Sequence, residues 1–212
     1  MLPFTTEQFF SVFADYNQAV WPMQWILAAA AVGIVLLSVS PVTWKDRAIC
    51  LLLAGLWAWM AIAYHLLQFS RINAAAYLFA VFYLLEAALF AWWAIAGRPL
   101  DLRYGRDGAS ALGVAMLAYS LVAYPLLGRW LGHAYPASPT FGVPCPTTIF
   151  TFAILAFARP KGIASLTVVP LVWSVVGGSA AFLLGVWQDL GLIASGVGTA
   201  GLVVVRSRKE RP

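Results

Sequence analysis

Seven runs of apolar residues follow one another along this chain, most of them about 20 residues long, with little sequence left between them. At about 1.5 Å of rise per residue, such a run matches the roughly 30 Å hydrocarbon core of a bilayer. A backbone in hydrocarbon must satisfy its own N–H and C=O groups, and within a single run only a helix does so. The sequence therefore predicts an all-α, polytopic transmembrane helical bundle of about seven spans, one integral-membrane domain over residues 1–212. Composition agrees, with 62% hydrophobic and 10% charged residues, where soluble domains carry about a quarter charged.

Before the first run, Thr5 and Gln8 stand at capping-box spacing. Phe9, Phe10, Phe13 and Tyr16 recur on one face, and Glu7, Gln8, Ser11 and Asp15 on the other. That pattern predicts a short helix lying in the membrane interface. The segment up to Pro22 has no Lys or Arg and does not read as a signal peptide.

The spans are expected at about Ala19–Ser40, Ala48–Gln68, Ile72–Ala96 and Ala109–Leu127, then a short fifth helix, then Gly162–Val186 and Leu190–Val205. Trp21 and Trp25 anchor the outer end of the first. Pro170 and Gly177-Gly178 soften the sixth. In the last, Gly191 with Ser195 and Ala194 with Gly198 have the small-xxx-small spacing of close helix packing, a route to a homo- or hetero-oligomer.

Residues 132–146 hold four prolines and two glycines, which no regular helix survives. The helix after them starts at Pro146 or Thr147 and ends by Arg159-Pro160-Lys161, about 12 residues or roughly 18 Å, too short to cross. By the count of basic residues this segment is nonetheless expected to cross. With seven spans and the N-terminus outside, 11 of the 13 Lys and Arg fall in the cytoplasm, leaving Arg71 and Arg129 outside. Without the fifth crossing only 5 do. The Pro-rich stretch is therefore expected to be re-entrant, completing the path from the outer side. The same scatter of basic residues into loops, with no stripe, speaks against nucleic acid as a partner of this chain of net charge +5.

Few residues carry chemistry. Glu86 is the only formal charge deep in a span, where an ionisable group costs at least a few kcal/mol and marks an ion or proton site or a packed neutral acid. Cys145 between Pro144 and Pro146 is expected at the N-terminus of the fifth helix. The dipole there favours a thiolate, or an anion or polar solute held by the N–H groups of Thr147 and Thr148. Tyr135 joins them on the expected solute or ion pathway. His65, His133 and Cys145 are donors that a soft metal ion prefers, but no Cys-x-x-Cys or His-x-x-x-His spacing supports a site, and no other cofactor is implied. Two cysteines, Cys50 and Cys145, make no disulfide framework. Asp189 reads as a solvated turn residue. The last span has no lysine for a retinal Schiff base.

The run from Gly132-His133-Ala134-Tyr135-Pro136 to Pro139-Thr140-Phe141-Gly142-Val143-Pro144-Cys145-Pro146-Thr147-Thr148, with the start from Met1 to Trp25, resembles an uncharacterised family of bacterial multi-pass membrane proteins. The resemblance implies a bacterial inner membrane and no established activity. Three functions follow from the residues: a permease or channel for a small solute or ion, a thiol- or metal-dependent membrane enzyme or metal-handling protein using Cys145, and a structural or sensory subunit.

Overall fold

The computed structural model describes residues 2–159 and 163–209. The expected turn residues Pro160 and Lys161, the start of the expected sixth span at Gly162, the tail residue Arg211 and Met1 lie outside the described residues. The rest forms eight helices and no β-strand: α1 (Thr6–Ala19), α2 (Met23–Val39), α3 (Lys45–Arg71), α4 (Ala75–Ile95), α5 (Gly108–Trp130), α6 (Pro144–Phe157), α7 (Ile163–Leu183) and α8 (Trp187–Arg208). Five of these, α3, α4, α5, α7 and α8, are long and apolar enough to cross a membrane. The pair α1 and α2, bent by 87° at a short break, meets the same criterion together and counts as a sixth if the pair is one broken span. At 14 residues, α6 is about 21 Å long.

The chain divides into two compact units, residues 1–99 with 125–144 and residues 100–124 with 145–212. In the first unit the expected capping box starts α1. The Thr5 N–H donates to Gln8 Oε1 (2.8 Å) and the Gln8 N–H to Thr5 Oγ1 (3.3 Å). Glu7, Gln8, Ser11 and Asp15 are exposed, while Phe9, Val12, Phe13 and Tyr16 are buried. The buried face meets the far end of α3, where the Phe13 ring lies 5.7 Å from Tyr64 and Phe9 lies 6.0 Å from Phe69. Edge and stacked contacts at these separations add to the area buried.

Residues 131–143 have no regular helix, and their carbonyls are taken up by side chains of α1. The buried Asn17 amide donates to Pro136 O (2.7 Å) and Ser138 O (2.8 Å), and its own oxygen accepts from the Thr140 hydroxyl at 2.8 Å. Next to it the Tyr16 hydroxyl donates to Gly142 O (3.4 Å) and accepts from the Trp59 indole (2.7 Å). Gly142 has φ +99 and a side chain there would strike Leu27, so glycine is required on both counts.

The second unit takes α5 up to Tyr124, and the next residue, Pro125, lacks an N–H and has a bulky ring that disrupts an α-helix one turn earlier. The backbone answers with a π-helical stretch over Tyr119–Ala123. The small residues of α8 do pack closely, against helices of this same unit: Gly191 lies under the Tyr119 ring and Gly198 against Leu112 and Met116 of α5. The 3-10 turn at Gly177–Ser179 sits where the glycine pair was expected to soften α7.

Asn17→Ala leaves three polar groups of the irregular stretch without their partner. At about 1 kcal/mol or more for each buried group orphaned, the variant is expected to melt several degrees lower in detergent and to be cut by protease within residues 131–143. An unchanged melting temperature and cutting pattern would mean that α1 does not hold this stretch.

Candidate functional site

Each unit places one acidic side chain in its interior, and the two acids are treated differently. In the first unit Glu86 is the twelfth residue of the 21 in α4, roughly 16 Å along the helix axis from its first residue. Ala76, Ala80, Tyr83, Ala87, Phe90 and Ala94 recur at intervals of three and four to make the buried stripe of α4, and Glu86 is embedded in it with no exposed surface. One turn away the Tyr83 ring lies 4.6 Å from Trp57 and 4.7 Å from His65 of α3. Neither oxygen of the Glu86 carboxyl has a hydrogen-bond partner among the described residues. Sequence reasoning placed this residue in the interior correctly and expected a partner, which the described residues do not supply.

The second unit contains an acid that sequence reasoning assigned to solvent. Asp189, in the turn that opens α8, is 2% exposed and accepts a hydrogen bond from the Tyr124 hydroxyl at 2.6 Å. The Cys145 thiol lies beside the same carboxylate, with the Trp173 indole beside the sulfur. The π-helical stretch explains how Tyr124 arrives there. In an i→i+5 turn, residues five apart share a face, so Tyr119 and Tyr124 point the same way, ring centroids 6.2 Å apart. Tyr119 donates to Gln188 O at 2.7 Å while Tyr124 takes Asp189. The signal in the sequence was the pair of tyrosines at spacing five just ahead of an in-helix proline.

Cys145 also differs in its backbone position. The helix begins at Pro144, so Cys145 belongs to its first turn and does not precede the helix. Prolines fit in the first turn, where backbone N–H groups have no intrahelical acceptor to lose. The side chains of Thr147 and Thr148 are fully buried, and the Thr148 hydroxyl has no partner among the described residues.

The remaining candidates are dispersed. His65 is buried among Tyr64, Phe69, Phe79 and Tyr83. The His133 ring lies tilted against Phe10, centroids 4.3 Å apart, and Tyr135 is 55% exposed. Among the described residues no group of three or more His, Cys, Asp or Glu is gathered as a metal site would require, so His65, His133 and Cys145 form no ligand set there. Both cysteines are free thiols.

A family model with the description Family of unknown function (DUF6064) matches residues 6–212 of the chain. No curated protein and no solved structure matches it.

The Tyr124 hydroxyl and the Asp189 carboxylate should be energetically coupled. In a cycle of Tyr124→Phe, Asp189→Asn and the double variant, unfolding in detergent should give a coupling of about 0.5–3 kcal/mol. Additive effects of the two single changes would show that the bond contributes nothing.

Proposed function

The chain belongs to that family of unknown function, and we propose that it is a seven-span protein of the bacterial inner membrane, a permease or channel for a small cation or protons with Glu86 as its midplane site. The observation that carries this reading is the Glu86 carboxyl, buried in the middle of an apolar helix with both oxygens lacking a partner among the described residues. An unpaired charge in such surroundings costs several kcal/mol. A proton or a bound cation removes that cost, and an anion would raise it. A site of this kind, able to take up a cation and with no fixed countercharge to compete, is what a conducting path needs at its centre.

The seven-span reading, with the N-terminus outside and the C-terminus inside, rests on the basic residues and on α2 and α6 completing the series begun by the five longer helices. Because α6 is short, the stretch over residues 131–143 would enter from the outer side, and its carbonyls, bonded by Asn17 and Tyr16, are compatible with such a position. A second reading, a thiol-dependent membrane enzyme, is favoured by the Cys145 thiol lying beside the buried Asp189 carboxyl. Loss of a measurable phenotype in Cys145→Ser, with Glu86→Gln silent, would favour that reading over transport.

Purified protein in liposomes is expected to move protons or a monovalent cation above empty controls. Glu86→Gln, close to isosteric, should lower the flux at least about ten-fold, the factor that 1.4 kcal/mol of lost ion stabilisation gives. Absence of any cation or proton flux in the parent protein, or full flux in Glu86→Gln, would overturn the proposal.

A further inference from the structure

The second unit carries an open groove of about 900 Å3 beside the N-terminal end of α5. Its floor is an apolar strip of α5, Ala111, Val114 and Ala115, all exposed. The Phe157 ring also lines the groove, with Tyr104 packed on that ring at 4.3 Å, as do Arg106 and Asp107.

The charges around that end are unevenly used. Arg103 is paired with Asp101 at 2.9 Å and Arg159 with Asp107 at 2.5 Å. The Asp107 carboxyl is held well below the usual carboxylate range by the Arg159 hydrogen bond and then by the Ser110 N–H, so it remains an anion occupied by its own partners. Arg206 donates to the carbonyls of Leu155 and Ala156 at the end of α6. Arg106 is exposed and has no hydrogen-bond or ion-pair partner among the described residues. Among the described residues Arg103, Arg106, Arg159 and Arg206 lie here with Asp101 and Asp107, and of the four arginines the one without a partner lines the groove, next to the paired Asp107.

An apolar channel that runs along a helix and ends at a spare guanidinium matches an amphiphile with one anionic phosphate and an acyl chain. We propose that this groove binds one anionic phospholipid, its phosphate on Arg106 and an acyl chain along Ala111, Val114 and Ala115. A zwitterionic lipid has the same chain, but its own ammonium group competes for the phosphate, and the positive excess here opposes that ammonium. Selection is therefore by headgroup charge, and retention is by the chain. This inference is independent of the cation pathway.

The test is native mass spectrometry of the full chain released from nanodiscs of equal phosphatidylglycerol and phosphatidylcholine. One phosphatidylglycerol should remain bound in preference to phosphatidylcholine. Arg106→Gln should reduce that preference about five-fold, the contribution typical of one basic residue at an anionic lipid surface. Ala115→Trp, which fills the groove and leaves every charge in place, should remove the retained lipid. Both positions are exposed, so neither change threatens the fold. Excess glycerol phosphate should not displace the lipid. Equal retention of the two lipids, an unchanged Ala115→Trp, displacement by glycerol phosphate alone, or a second copy of the chain in place of lipid would each overturn the proposal.

Discussion

A backbone carbonyl that cannot reach water has to find a donor within the protein, and in a chain this apolar that requirement decides where every segment can go. The eight helices meet it internally. Residues 131–143 cannot, because their prolines and glycines break the ladder, so the donors have to come from elsewhere. Asn17 and Tyr16 supply them from α1, reaching the carbonyls of Pro136, Ser138 and Gly142. The short N-terminal helix is thereby more than an interfacial ornament. Its aromatic face fixes it on α3, and its last turn fixes the irregular stretch that leads into α6.

The same requirement, applied to side chains, separates the two interior acids. Asp189 and Glu86 are equally buried, at 2% and 0% exposure. Asp189 has a tyrosine hydroxyl as its donor, and the π-helical stretch of α5 shapes the helix so that the tyrosine reaches it. This is how a structural carboxylate is accommodated. Glu86 has no such provision among the described residues, although Tyr83 precedes it by one turn of the same helix. On that contrast the proposed cation site rests.

What the sequence made legible was local or periodic. The capping box of Thr5 and Gln8 needs only three residues of separation, the apolar runs need only composition, and the small residues of α8 announced a close approach that Tyr119 and Leu112 fulfil. What stayed hidden depends on partners far away along the chain. Tyr124 and Asp189 are 65 positions apart and Asn17 and Pro136 are 119, and a turn aspartate before a helix looks the same whether solvent or a tyrosine meets it. The helix start at Pro144 was missed for a different reason: Pro146 reads as the earliest start and Pro144 as part of the broken stretch, yet both fall in the first turn, where a missing N–H breaks no intrahelical bond.

The most direct test of a partnerless interior acid is chemical. An apolar carbodiimide reaches carboxyl groups from within the bilayer and reacts with those that carry a proton, and peptide mapping identifies the acid modified. In native membranes Glu86 should be labelled, the labelling should slow when the permeant cation is added or the pH is raised, and it should be absent in Glu86→Gln. If Glu86 remains unlabelled while the reagent modifies other membrane carboxyls, or is labelled at a rate that no cation and no change of pH alters, then it is a fixed packing residue and the path does not run through it.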